Sequence, residues 1–189
     1  LSPQSSAISL ILDAIGLPRI GQIGHEADDV LGALVAKSTQ ACDVVTGDRD
    51  LFQLVSDSNQ VRVISITKGV KNLEIVDDAY LANRYGVTGK QYADFSMLRG
   101  DPSDGLPGVK GIGEKGAAVI ANSFATVEEA LSGALDAHQS LPPALAKKII
   151  AGADYLKIAP KLVRVARDAP LPKVDLSLPK APSDLSAIY

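Results

Sequence analysis

One stretch, residues 100–115, constrains the fold of this chain more than any other, and it reads GDPSDGLPGVKGIGEK. Its first half places two carboxylates, Asp101 and Asp104, on a tight turn. Its second half has glycines at 108, 111 and 113, whose tolerance of positive φ and of close backbone contacts favours a hairpin between two helices. Such a hairpin directs backbone N–H groups and a helix N-terminus outward, where they can bind a phosphate group. The stretch therefore predicts metal-dependent chemistry on a nucleic acid.

The composition is that of a globular chain with a real core. At 189 residues and 46 % hydrophobic content, it can bury the core of one domain or slightly more. The apolar runs are too short for a membrane span, and the first residues lack the features of a signal peptide. The single cysteine, Cys42, excludes an internal disulfide and fits a reducing compartment. We expect a cytoplasmic protein that does not contact a membrane.

The charges are distributed unevenly along the chain. Residues 25–104 carry 13 acidic and 8 basic side chains, a net charge of −5. Residues 105–167 carry 5 acidic and 8 basic side chains, a net charge of +3. An acidic pocket that binds metal ions, next to a basic surface that follows phosphates, would produce this asymmetry.

Apolar periodicity predicts an α/β core over residues 1–88. Helices are expected over residues 3–16, 27–40 and 51–54, and strands over 18–23, 42–46 and 61–66, with extended chain at 73–75. Strands that alternate with helices favour a mostly parallel sheet. A helix over residues 77–85 leads out of this core.

Residues 89–160 are predicted to form a helical subdomain. Helices are expected over residues 90–98 and 114–122, after the capping box that starts at Thr126, and after Pro142. The last segment, 161–189, is predicted to contain a strand at 162–166 that returns to the sheet. A proline-rich tail with prolines at 170, 172, 179 and 182 would follow in extended conformation.

Seven carboxylates fall in three groups at predicted turns and helix starts. Each group alone has an ordinary explanation as a helix cap, a solvated loop or a turn. If the groups converge, their repulsion must be offset by cations, and oxygen ligands with almost no His or Cys favour Mg²⁺ or Mn²⁺. Two such ions about 4 Å apart would activate a water and stabilise the leaving oxygen of a phosphodiester. The seven are Glu26, Asp28, Asp29, Asp48, Asp50, Asp101 and Asp104.

The order of the motifs EADD, TGDRD, GDPSD and LPGVKGIGEK resembles the bacterial 5′ nuclease family. That family comprises stand-alone 5′–3′ exonucleases, flap endonucleases and the 5′-nuclease domain of DNA polymerase I. The resemblance covers about residues 8–171. It implies a PIN-like α/β fold with an inserted helix-hairpin-helix (helix-three-turn-helix) subdomain. The reaction that it implies is metal-dependent hydrolysis of DNA at 5′ ends or flaps, which leaves a 5′-phosphate.

The resemblance also implies roles for individual residues. Glu26, Asp28 and Asp29 would serve a first metal site. Asp48, Asp50, Asp101 and Asp104 would serve a second, catalytic one, some of them through water. The hairpin would hold duplex DNA by its backbone through Gly108, Val109, Lys110, Gly111, Ile112, Gly113 and Lys115. Family members also bind a monovalent cation, typically K⁺, at this hairpin through main-chain oxygens. The partner implied is DNA with a 5′ flap or a single-strand/duplex junction, and we expect a monomer.

The family's N-terminal strand, with its metal-binding Asp, and its helical arch have no counterpart in this sequence. We therefore expect a fragment of a longer protein, with a truncated protein of impaired catalysis as the alternative. A non-catalytic helix-hairpin-helix fragment that binds duplex DNA is a second hypothesis for function, but it leaves the acidic residues without a purpose. A third, an RNA-cutting PIN nuclease, shares the acidic sheet but lacks the hairpin.

Overall fold

A small sheet lies in the N-terminal half of the computed structural model, which describes residues 3–181 and 184 and omits the side chain of Pro3. Its strands are β1 Cys42–Thr46, β2 Val61–Ser65 and β3 Glu74–Val76, in the order β1-β2-β3. β1 and β2 pair in parallel, whereas β2 and β3 are antiparallel. The α/β class is confirmed, but the sheet is mixed rather than mostly parallel. The connection between β2 and β3 is a tight turn at residues 66–72, and a link that short can join only antiparallel strands.

The predicted helices are present, and their ends follow from local chemistry. Gly16, with φ of 83°, ends the first helix, and Gly86, with φ of 74°, ends the third. The carboxylate of Asp77 caps that third helix by accepting a hydrogen bond from the N–H of Tyr80 at 2.7 Å. The helices of the described residues are α1 Pro3–Ile15, α2 Ala27–Lys37, α3 Asp78–Tyr85, α4 Gly89–Arg99, α5 Glu114–Ser123, α6 Val127–Leu135, α7 Pro143–Ala151, α8 Ala153–Leu156 and α9 Pro160–Val163.

A single hydrophobic core runs from the sheet into the helices. At its centre, the ring of Tyr92 on α4 lies edge-on to Phe52, with 5.3 Å between ring centroids, and to Tyr85, with 5.5 Å. Phe52 belongs to a 3₁₀ turn, Asp50–Leu54, that follows β1. The aromatic contacts therefore fix α4 against the loop that carries Asp48 and Asp50.

The strand predicted at residues 18–23 is wrong. The side chain of Arg19 pairs with Asp13 at 2.7 Å, and the N–H of His25 closes a turn onto the carbonyl of Gln22. Ile23 is 96 % exposed. Apolar residues alone do not make a strand, because a strand needs a neighbour to bond its amides, and among the described residues this segment has none.

The return strand predicted at residues 162–166 is also wrong. α9 ends at Val163, and the N–H of Arg164 still donates to the carbonyl of Pro160, whereas the amides of the next two residues bond to side chains rather than to a strand. The N–H of Val165 donates to Oε1 of Gln53 at 3.1 Å, and that of Ala166 donates to Oδ1 of Asp29 at 2.8 Å. Residues 164–180 contain no helix or strand, which agrees with the prediction of a tail only from residue 170 onward, and Pro182 lies outside the described residues.

The apolar residues of α1 are only partly covered by the described residues, since Leu12 and Ile15 are half-buried. Ile8 is 57 % and Ile11 is 44 % exposed, whereas Ala14 is buried. Among the described helices, α1 included, none is both long and apolar enough to cross a bilayer.

Candidate metal centre and nucleic-acid interface

The start of α2 presents three carboxylates, and they differ in what they contact. Asp29 is held at both oxygens, since Oδ2 accepts a hydrogen bond from the N–H of Glu26 at 3.2 Å and Oδ1 accepts one from Ala166. Asp28 and Glu26 lie in and just before the first helical turn, where the helix dipole favours negative charge. No comparable donor reaches the Asp28 carboxylate within the described chain. Asp29 therefore fixes the start of α2, while the carboxylate of Asp28 remains available to bind a ligand.

A close backbone contact sets the position of α2. A Cβ at Gly32 would lie 2.8 Å from the carbonyl oxygen of Ala166 and 3.0 Å from Cγ2 of Val165. Only glycine permits this approach without displacement. The helix that carries Asp28 is thus anchored to the C-terminal segment by Gly32 as well as by Asp29.

The loop after β1 carries Asp48 and Asp50 and is stiffened by its own hydrogen bonds. Thr46 Oγ1 accepts from the N–H of Asp48 at 2.9 Å, and Asp48 Oδ1 accepts from the N–H of Asp50 at 2.9 Å. The buried amide of Gln53 donates to the carbonyls of Asp50 and Val163, each at 2.9 Å. The backbone is therefore fixed, and no donor in the described ranges bonds the Asp50 carboxylate.

The loop that carries Asp101 and Asp104 is closed by two glycines. Gly100 and Gly108 have φ of 83° and 66°, and a Cβ on Gly100 would lie 2.8 Å from the backbone nitrogen of Gly108. Inside this closure, the N–H of Asp101 donates to the carbonyl of Leu106 at 3.0 Å, and the reverse bond measures 2.9 Å. The acidic turn and the hairpin therefore form one continuous backbone unit.

Asp101 already has cationic partners within the protein. It is 4 % exposed, and its Oδ2 lies 3.2 Å from Nη2 of Arg99 and 3.6 Å from Nη2 of Arg49. Burial favours a higher pKa for Asp101, but hydrogen bonds from the N–H and hydroxyl of Ser103 and the charges of the two arginines bring it below its usual value. Arg99 was not identified from the sequence as a partner of Asp101. Its place at the end of a predicted helix, two residues before Asp101, was the available signal.

The remaining carboxylates affect one another across three segments. Burial, followed by the charges of Asp104, Asp48, Asp101 and Asp28, raises the pKa of Asp50 to about 6. Burial, followed by the charges of Asp48, Glu26 and Asp29, raises the pKa of Asp28. The start of α2, the loop after β1 and the turn at 101–104 thus bring their acids together. We call this group the acidic mouth: Glu26, Asp28, Asp48, Asp50 and Asp104.

The acidic mouth supplies suitable donors for divalent ions but not a closed ligand sphere. In the part of the chain that is described, no three His, Cys, Asp or Glu side chains lie close enough to hold one ion together. The donors are carboxylate oxygens, which suit Mg²⁺ or Mn²⁺. Asp29 and Asp101 differ from the rest because both oxygens of each carboxylate already have partners, which are backbone amides for Asp29 and Ser103 and Arg99 for Asp101. Metal binding by all seven stays a prediction.

The hairpin has the construction expected from its sequence. Val109 and Ile112 are 3 % and 4 % exposed, so both side chains anchor the turn in the core. The N–H of Val109 donates to the carbonyl of Leu98 on α4 at 3.0 Å. Lys110 and Lys115 are exposed, and within residues 3–181 neither ammonium group has a protein partner. The two ammonium groups are therefore available to phosphates.

Lys148 on α7 contacts the same hairpin from outside. Its Nζ donates to the carbonyl oxygen of Gly111 at 2.7 Å. A K⁺ ion bound through main-chain oxygens at this place would have to share that oxygen with an ammonium group, and two cations at one carbonyl repel each other. The hairpin's donors therefore do not fit K⁺ at the Gly111 carbonyl as the chain stands.

Comparison with protein families gives two adjacent matches. Residues 1–86 match the model described as the 5′-3′ exonuclease N-terminal resolvase-like domain. Residues 87–184, more than half of the chain, match the model described as the 5′-3′ exonuclease C-terminal SAM fold.

Curated relatives carry related names. A 5′-3′ exonuclease of Streptomyces coelicolor is 49 % identical over 188 residues, which are 100 % of this chain and 62 % of that protein. A 5′-3′ exonuclease of Mycobacterium tuberculosis is 42 % identical, with 95 % and 57 % covered. The thermostable DNA polymerase I of Thermus aquaticus is 38 % identical, with 95 % and 20 % covered. The chain thus spans less than two thirds of the length of these relatives.

Solved structures share the fold. A T5 5′-exonuclease with bound divalent zinc ions superposes with a TM-score of 0.63 at 20 % identity, over 86 % of this chain and 62 % of that one. The catalytic core of Rad2 with DNA substrate superposes with a TM-score of 0.52 at 17 % identity, over 95 % and 58 %. The folds agree with the PIN-like nuclease architecture expected from the motifs, and the chain belongs to the 5′-3′ exonuclease family.

Proposed function

We propose that this chain forms part of a divalent-metal-dependent 5′ nuclease, a 5′–3′ exonuclease or flap endonuclease that hydrolyses DNA phosphodiesters at 5′ ends or flaps. The observation that carries the proposal is the convergence of acidic side chains on a rigid backbone. Asp50 has a pKa of about 6 because burial and four neighbouring carboxylates disfavour its charge. A fold gains nothing from such repulsion unless cations bind there.

The acidic mouth would hold two divalent ions, Mg²⁺ or Mn²⁺. Glu26 and Asp28 would serve one ion, and Asp48, Asp50 and Asp104 the other. Such ions supply an activated water and charge stabilisation for the leaving oxygen. Asp29 and Asp101 would contribute chiefly by position, because Asp29 fixes α2 and Asp101 anchors the turn that carries Asp104.

The hairpin would hold the duplex part of the substrate. Lys110 and Lys115 are exposed beside the N-terminus of α5, where backbone N–H groups also favour a phosphate. These contacts address the DNA backbone and not its bases. Because the loop at 100–108 joins the hairpin directly to Asp104, a duplex held there would lie beside the acidic mouth.

Cleavage of a 5′-flap DNA by the purified chain with Mg²⁺ tests the proposal. We expect cleavage that Asp104→Ala lowers by about 100-fold or more, the effect of losing a group that positions an ion or a proton. Asp136→Ala, which removes a carboxylate at the end of α6, serves as the matched control and should cleave like the wild type.

Two outcomes would contradict the proposal in different ways. Equal cleavage by wild type and Asp104→Ala would exclude Asp104 from the active site. Salt-sensitive binding of the junction without any cleavage would favour the non-catalytic DNA-binding fragment.

Binding of duplex DNA tests the hairpin separately. Lys110→Ala should weaken binding to all sequences alike and lower the slope of log affinity against log salt by about 1, because one phosphate contact is lost. Fluorescence anisotropy at several KCl concentrations measures both quantities. A loss restricted to one DNA sequence would contradict a backbone contact.

A further inference from the structure

We infer that Lys148 is the hairpin's built-in cation and that it takes the place of a bound monovalent ion in holding DNA. The inference rests on the proposed DNA-binding role of the hairpin. Its structural basis is the bond from Lys148 Nζ to the carbonyl of Gly111, a contact between residues 37 positions apart in the chain.

The backbone of Gly111 makes the contact with Lys148 possible. Gly111 has φ of 81°, which turns its carbonyl toward α7. A Cβ at Gly111 would lie 3.3 Å from Cε and 3.5 Å from Nζ of Lys148. The lysine side chain therefore runs along the bare α-carbon of the glycine, and a larger residue there would press on it.

α7 and the hairpin are also packed together below the contact between Lys148 and Gly111. Gly152, directly after α7, faces the buried side chain of Val109, and a Cβ there would lie 3.0 Å from Cγ1 of that valine. The N–H of Gly152 donates to the carbonyl of Lys148 at 3.0 Å. This packing fixes the distance between α7 and the hairpin, so the ammonium group reaches the Gly111 carbonyl without the hairpin having to shift.

The charge is well placed for a phosphate. An ammonium group has three N–H donors, and Gly111 takes one of them. Lys110 is on the hairpin itself and Lys115 follows it on α5, so Lys148 adds a third positive charge to the same surface. A carbonyl oxygen that would repel a phosphate is thereby covered by a cation that attracts it.

DNA affinity in two salts provides the test. A 5′-tailed duplex is titrated at equal ionic strength in KCl and in tetramethylammonium chloride, whose cation is too large for a carbonyl site. We expect the wild type to bind equally in both salts. Lys148→Met should bind about tenfold more weakly in tetramethylammonium chloride and recover in part in KCl. Lys147→Met, the exposed neighbour with the same charge change, should lose affinity equally in both salts.

A second measurement needs no DNA. Thermal unfolding of Lys148→Met should shift upward in KCl relative to tetramethylammonium chloride, because K⁺ can then reach the Gly111 carbonyl, whereas the wild type should not shift. Preference of the wild type for KCl in both measurements, or identical behaviour of the Lys148 and Lys147 variants, would overturn the inference. Absence of DNA binding by the wild type would overturn the proposed function, and the unfolding comparison would then decide the role of Lys148.

Discussion

Two acidic clusters in this molecule contain the same kind of residue and behave in opposite ways. In the first, Arg164 donates to Asp94 at 2.7 Å and to both oxygens of Glu128 at 2.8 and 2.9 Å. In the second, the acidic mouth, five carboxylates influence one another, and the two arginines described beside it, Arg49 and Arg99, pair with Asp101 instead. The first cluster contains its own cation, whereas for the second we propose that divalent ions from solution supply the positive charge.

The pKa values record this difference. Hydrogen bonds donated by Arg164 lower the pKa of Glu128, and the same bonds to Glu128 and Asp94 outweigh desolvation and raise the pKa of Arg164. Burial and neighbouring carboxylates raise the pKa of Asp50 to about 6. The cluster around Arg164, in which charges of both signs pair, is the balanced cluster and should stabilise the fold. The acidic mouth is the unbalanced cluster and should destabilise the fold, a cost that bound divalent ions would offset. Substitutions in the two clusters should therefore change stability with opposite signs.

The largest change in the free energy of unfolding is expected from a substitution in the balanced cluster, at Asp94. Asp94→Ala should lower the free energy of unfolding by about 2–4 kcal/mol, because it leaves the buried N–H of Val127 without its acceptor and removes one of the two carboxylates that pair with Arg164. Urea unfolding followed by circular dichroism measures the loss. Asp154→Ala removes a carboxylate that pairs with Lys157 on the surface and should change little. Equal losses in both variants would show that the buried position of Asp94 does not matter.

A smaller change of opposite sign is expected from the acidic mouth. The pKa of Asp50 in the folded protein, about 6, lies above the ordinary value of about 4, so the folded state binds the proton more tightly. The fold therefore loses stability as pH rises from about 4 to about 6. Asp50→Asn removes this loss, and it should raise the free energy of unfolding at pH 7.5 by about 1–2 kcal/mol, allowing for partial exposure.

Urea unfolding in EDTA at pH 4.5 and pH 7.5 checks this prediction. The gain from Asp50→Asn should be present at pH 7.5 and small at pH 4.5. Asp43→Asn, at the opposite end of β1 where Asp43 pairs with Arg62, should show no gain at either pH. Destabilisation by Asp50→Asn at pH 7.5 would contradict the account of the mouth as an unbalanced cluster.

The smallest change in stability is expected at Arg49, the arginine that pairs with Asp101 beside the acidic mouth. The side chain of Arg49 is 46 % exposed and lies 3.6 Å from Asp101, so Arg49→Met should change stability by less than about 1 kcal/mol. It should nevertheless lower the Mg²⁺ concentration for half-maximal thermal stabilisation by about two- to threefold, because one competing positive charge is removed.

The control for this variant is Arg62→Met, which removes a positive charge at the far end of β1. If both variants shift the Mg²⁺ response equally, net charge rather than the position of Arg49 determines ion affinity.

The helices, and the loops at residues 46–50 and 100–108, were predictable because the residues that determine them lie within or beside each element. Asp77, Thr126 and the glycines at 16 and 86 mark helix ends within one turn of chain, and the structure places the ends there. The strands at 18–23 and 162–166 were wrong because pairing depends on a neighbour that the segment's own sequence does not specify. In the second segment, the amides of Val165 and Ala166 donate to the side chains of Gln53 and Asp29, which lie more than 100 positions away in the chain.

The acidic residues were predictable as a group but not as individuals. Their recurrence at turns indicated convergence, and the raised pKa values of Asp28 and Asp50 agree with it. Nothing in the sequence distinguishes Asp101, which is buried between two arginines, from Asp104, which is exposed. That difference arises from the fold of the loop between Gly100 and Gly108, because the chain's reversal there turns one carboxylate inward and leaves the other outside.

The continuous core has a consequence for how the chain can be divided. The two family matches meet between residues 86 and 87, yet a Cβ on Gly89 would lie 2.8 Å from that of Val55, and Phe52 packs on Tyr92 across this boundary. Gln53 and Asp29 add hydrogen bonds that span the same boundary. Two polypeptides cut at this point would each expose half of a core, so they would be insoluble apart and would complement each other when co-expressed. The boundary between the two family matches is therefore not a boundary between two independently folding units.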